Sequence, residues 1–100
     1  MTATAEIVTF RLIPGADPQA FATAAQGMMP FLISTGHMHA RTLSCDDTGL
    51  WTDHIIWTSR AAADAAARAM FQRPEAAPFM ALIDQNDMHM RHASIHLAPD

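Results

Sequence analysis

The chain contains no lysine and no tyrosine, one cysteine and only four glycines in 100 residues. Each scarcity removes a class of chemistry. Without lysine there is no Schiff-base catalysis of the usual kind, and without tyrosine there is no phenol side chain to act as a general acid. Cys45 cannot close an internal disulfide alone, which fits a reducing cytoplasm. The six basic residues are all arginines, scattered along the chain, against ten acids for a net charge of −4. Binding to nucleic acid needs concentrated Lys or Arg to neutralise phosphate, so no such partner is expected. No run approaches the ~18 apolar residues that cross a bilayer, and the stretch before Glu6 is too short for a signal peptide. A cytoplasmic protein without a membrane partner is the expectation.

What is present is apolar residues, 50% of the chain, much of it Ala and Met. That suffices for one domain spanning residues 1–100, with a surplus that burial between subunits would absorb. From Glu6 to Ile13 the pattern alternates as a strand, with Val8, Phe10 and Leu12 on one face. Pro14-Gly15 ends it. Asp17 before Pro18 is a strong helix start, and Phe21, Ala24, Ala25, Met28 and Leu32 recur at helical spacing, with a late bend at Pro30 and a stop at Gly36. A second strand over 37–44 places His37, His39, Arg41 and Leu43 on one face. Asp46-Asp47-Thr48-Gly49 turns the chain into a third strand, Leu50 to Thr58. Ser59 caps an Ala-rich helix that Pro74 and Pro78 interrupt, leaving Glu75 to Ile83 as a turn or short helix. Asp84 to Asp87 is a loop before a last strand, Met88 to Leu97.

The order strand, helix, strand, strand, helix, strand is ferredoxin-like: α+β, an antiparallel sheet with both helices on one face. Nothing remains to cover the other face. A second copy would do so, and a homodimer through the open sheet face is expected.

In the third strand, Trp51, Asp53, Ile55 and Trp57 share a face. An unpaired buried carboxylate is costly by several kcal/mol, so a face carrying Asp53 is expected to line a wet cavity. There it would act as a base, unless Arg11 or Arg41 pairs with it and makes it structural. His92, with Met88, Met90 and Ser94 on one strand face, is a second acid–base candidate in a setting suited to a flat hydrophobic ligand. Dimer core is the plainer role for those methionines. His54 points away from Asp53, so the two form no dyad. His37 and His39 stand about 7 Å apart on one face, but no spacing matches a strong zinc motif, and neither a metal nor a cofactor is expected. Cys45, beside Asp46 and Asp47, is a poor nucleophile.

The strand end Ile55-Ile56-Trp57-Thr58-Ser59 with its Ala-rich helix, and Gly36 leading into the second strand, resemble the antibiotic-biosynthesis-monooxygenase-like (ABM-like) branch of the dimeric α/β-barrel superfamily, over about residues 5–97. The resemblance implies two ferredoxin-like subunits packed sheet to sheet, with a cavity in each. Some members oxygenate phenolic polyketides without metal or flavin. Haem-degrading relatives use a histidine and a tryptophan on the second long helix and an asparagine on the first strand; this chain has none of these there. By this analogy the chain is a cofactor-independent monooxygenase-like enzyme for a small planar aromatic or polyketide-like compound. Trp51 and Trp57 would stack the ligand with His39 near it, Asp53 or His92 would take a phenolic proton, and Arg41 would steady the oxyanion. The alternative is a non-catalytic, ligand-binding or stress-associated dimer.

Overall fold

A computed structural model describes residues 2–99. Its elements run β1 (Thr4–Phe10), α1 (Pro18–Gln26), α2 (Met29–Ser34), β2 (Met38–Cys45), β3 (Trp51–Trp57), α3 (Arg60–Met70), α4 (Ala76–Ala81) and β4 (His89–Ser94). A short 3₁₀ turn, Gln85–Asp87, precedes β4. The four strands form one antiparallel sheet in the order β2-β3-β1-β4. This is the ferredoxin-like arrangement. No helix among the described residues is long and apolar enough to cross a membrane.

Local chemistry sets the boundaries. Asp17 accepts the Gln19 backbone N–H at 3.0 Å and Pro18 opens α1, as a capped start requires. The expected bend at Pro30 is corrected: the chain breaks at Gly27 and Met28, and Pro30 falls in the first turn of α2. Proline is tolerated there because the missing N–H has no intrahelical partner to lose. Gly36, at φ +73°, ends α2 in the left-handed region. Ser59 caps α3 by accepting the Ala62 N–H at 3.1 Å. In the β2–β3 turn, Asp46 Oδ1 accepts from Thr48 N, Thr48 Oγ1 and Leu50 N at 2.8, 2.7 and 3.0 Å.

The register fixes which side chains share a face. Towards the helices, four rows cross β2, β3, β1 and β4: Met38-Trp57-Thr4-Ser94, Arg41-Ile55-Glu6-His92, Leu43-Asp53-Val8-Met90, and Cys45-Trp51-Phe10. One shift in β2, between Met38 and Ala40, corrects the expected face assignment. A bulge inserts His39 there, so Met38 shares the helix side with Arg41 and Leu43. A strict period of two cannot anticipate an extra residue. The outer face, with rows such as Ala40-Ile56-Ala5-Ala93 and Thr42-His54-Ile7-Arg91, has no helix laid over it among the described residues.

Candidate functional site

Ile55 is the centre of the site. Across the sheet it is flanked by Arg41 and Glu6, and along its own strand by Asp53 and Trp57 two residues away on the same face. Neighbours in these positions lie within roughly 5–8 Å. All five line a hollow of about 130 Å³ between the sheet and the helices. Its roof comes from Met28, Phe31 and Leu32 at the α1–α2 corner, Ala66, Ala67 and Met70 on α3, and Phe79 and Met80 on α4. Ala66 and Ala67 leave room that any larger residue would occupy. At the mouth stand Phe71 and Met90, 72% and 52% exposed.

The polar groups around Ile55 differ in how they are satisfied. Arg41 Nε donates to Asp53 Oδ1 at 2.9 Å and Nη2 to Oδ2 at 2.8 Å, a bidentate pair with both side chains buried. Arg41 Nη1 also donates to the Ala25 carbonyl at 2.7 Å, and the guanidinium lies 5.7 Å from the Phe79 ring centre. Of the two arginines named as possible partners of Asp53, it is Arg41 that pairs with it. Arg11 instead donates to the Thr48 carbonyl at 2.6 Å and lies 3.6 Å from Asp87. The walls are mainly apolar, and the carboxylate of Asp53 is met by Arg41.

Glu6 was missed by reading the first strand as beginning there, yet its parity with Val8 and Phe10 placed it on the buried face. His92 Nε2 lies 3.0 Å from Glu6 Oε2, with both side chains nearly buried. The geometry suits an imidazole N–H donating to a carboxylate oxygen. Glu6 Oε1 has no hydrogen bond among the described residues. Glu6 reaches the hollow; His92 stands behind it on edge strand β4.

Trp57 is 1% exposed, and its indole Nε1 is the only buried side-chain nitrogen or oxygen among the described residues with no partner. Trp51 takes a different part. It packs edge-on to Phe21, ring centres 4.9 Å apart, and does not line the hollow. His39 is exposed and also outside it. Of the residues named from the sequence, the structure thus gathers Arg41, Asp53 and Trp57, sets His92 one residue back, and leaves Trp51 and His39 elsewhere. His37 Nδ1 lies 3.3 Å from Thr58 Oγ1, and no group of three or more His, Cys, Asp or Glu among the described residues could hold a metal ion.

A ferredoxin-like sheet with helices over one face and a hollow between them defines a class of small α+β folds. Solved structures of that class match nearly the whole chain. A candidate antibiotic biosynthesis monooxygenase from Bordetella bronchiseptica matches with a TM-score of 0.81 at 16% identity, covering 97% of this chain and 100% of that one. SnoaB from Streptomyces nogalater, a cofactor-independent oxygenase, matches in a point-mutant form with a TM-score of 0.75 at 13% identity, covering 98% and 97%. A candidate antibiotic biosynthesis monooxygenase from Chloroflexus aurantiacus gives 0.73 at 14%, covering 99% and 98%. The fold is that of ABM- and SnoaB-like proteins. No family model and no curated protein sequence matches the chain.

Proposed function

We propose that the chain is a cofactor-independent, monooxygenase-like enzyme acting on a small hydroxylated planar aromatic compound held in the hollow under α3. The observation that carries this reading is the Glu6 carboxylate at the wall of a mainly apolar hollow, bonded to His92 through Oε2 and with Oε1 unpaired among the described residues. Glu6 is a diagonal neighbour of Trp57 on the same face, with Oε1 free to accept a phenolic proton. His92 positions Glu6 through Oε2. The phenolate then donates electrons to molecular oxygen and forms a carbon–oxygen bond. Loss of the ring proton at that carbon breaks the O–O bond, so phenol plus O₂ yields quinone plus water with no outside reductant. Asp53 and Arg41 saturate each other and serve as a fixed wall, which moves the base from Asp53 to the Glu6–His92 pair.

The working unit in this reading is a homodimer joined through the outer sheet face, where Ile7 and Ile56 lie in rows that no helix covers. Native mass spectrometry tests this: a dimer is expected, and a monomer at micromolar concentration removes it.

Oxygen uptake with electron-rich phenols tests the chemistry. Glu6→Gln is expected to lower turnover by roughly 10²–10⁴-fold while ligand affinity changes little. Equal turnover by the variant rejects Glu6 as the base. The saturation of Asp53 by Arg41 favours a second reading, a non-catalytic binding dimer, and ligand binding without oxygen uptake would select it.

A further inference from the structure

We infer that the hollow is sized and polarised for a single-ring phenol, not for a fused polycyclic compound. This rests on the proposed reading of the hollow as the substrate site and narrows its ligand. The enclosed volume is about 130 Å³, close to the ~150 Å³ cavity that binds one benzene ring in a well-studied engineered protein. A fused three-ring system has more than twice the carbons of benzene. It would have to displace rigid walls. Phe79 is stacked on Phe21 with ring centres 5.4 Å apart, and Phe31 carries Arg73 at 5.6 Å from its ring centre. Trp57 itself is fully buried.

The polar end is equally restrictive. Glu6 Oε1 is an acceptor without a donor among the described residues. A phenolic hydroxyl can donate to it, and neither an ether nor a hydrocarbon can. Met70, Met80 and Met88 also line the hollow and complement an unsubstituted ring edge.

Isothermal titration calorimetry of the full chain with phenol, 1-naphthol and 1-anthrol, alongside an oxygen electrode, tests the assignment. Saturable binding is expected for phenol, weaker by about tenfold for 1-naphthol, and none for 1-anthrol. Among single rings, phenol is expected to exceed both toluene and anisole by roughly five- to tenfold. Met70→Ala, or Met88→Ala if that variant does not fold, should widen the hollow and shift preference towards 1-naphthol. Affinity that rises with each added ring, or equal affinity for phenol and toluene, overturns the proposal. Phenol binding without uptake of oxygen from any phenol keeps the size assignment and removes the oxygenase reading. Uptake confined to the three-ring compound does the reverse. No binding by any of these rings overturns both.

Discussion

The two tryptophans of β3 lie on one face of one strand, six residues apart in sequence, yet they mark opposite conditions of the same layer. Around Trp51 aromatic rings pack between sheet and helices: Phe21 is fully buried with Phe10, Trp51 and Phe79 at 5.4, 4.9 and 5.4 Å. The outer edge of Trp51 borders only an open depression with Arg11, Pro18 and Gly49. Around Trp57 the layer is hollow, because α3 lays alanines over the sheet where α1 and α4 lay phenylalanines. Ala63 and Ala66 are buried and let the helix approach, but they lack the volume to fill what lies beside them. One end of the layer provides stability and the other gives up packing for an interior space.

The sharpest way to break this contrast is at the filled end. Phe21→Ala removes the ring on which three others converge and is expected to destabilise by about 3–5 kcal/mol, read by urea denaturation; a loss under about 1 kcal/mol would show that this end is not the packed one. Asp53→Asn, at the boundary of the hollow, strands a buried guanidinium. The side chains of Arg41 and Asp53 are only 6% and 7% exposed, so solvent does little screening, and a loss of about 3 kcal/mol is expected. The double variant Arg41→Met with Asp53→Leu should recover most of it; failure to recover would mean that the pair does more than satisfy its own charges.

Inside the hollow the effect on stability should be smaller still. Ala66→Leu puts three carbons into the empty space and is expected to change thermal stability by less than about 1.5 kcal/mol in either direction while abolishing binding of phenol. Retained binding would place the ligand elsewhere. The smallest effect lies in the exposed β2–β3 turn. The Thr48 hydroxyl, then the Leu50 and Thr48 backbone N–H groups, hold the Asp46 carboxyl below its usual 3.8. A carboxyl lowered by folding stabilises above its unfolded value and loses that contribution as pH falls through the folded one. Asp46→Ala should therefore be modestly less stable than the parent at neutral pH, with the gap closing in strong acid. A gap that persists in strong acid would assign the effect to the turn backbone and not to the charge.

How far the sequence reveals this layout depends on which physical signal each element carries. β3 and its inward face were legible because Trp51, Asp53, Ile55 and Trp57 alternate without interruption, and α3 because a serine cap opens an alanine-rich stretch punctuated by Arg60, Asp64 and Arg68 at four-residue spacing. The sheet order followed from the succession of elements. β2 was half legible: the bulge at His39 changes the face of everything before it, and no local residue announces it. The break at Gly27 was hidden by the more conspicuous Pro30, which is harmless at its actual position. Glu6 was overlooked because a carboxylate at a strand's start reads as its solvent end. Its partner His92 lies 86 residues away and meets it only through the β1–β4 pairing. The hollow itself has no sequence signature, since alanines that permit close packing and alanines that leave a void look the same until the opposite wall is placed.

The two indole N–H resonances offer the most direct test of the central claim, that the Trp57 end of the layer is a ligand site and the Trp51 end is filled core. A ¹H–¹⁵N correlation spectrum of the chain holds only these two, since the sequence has two tryptophans. On titration with phenol, the account predicts that the Trp57 indole signal moves and saturates while the Trp51 signal stays in place, with assignment by Trp51→Phe. If neither signal moves at saturating phenol, or both move together, the hollow under α3 is not the site and the contrast between the two ends fails.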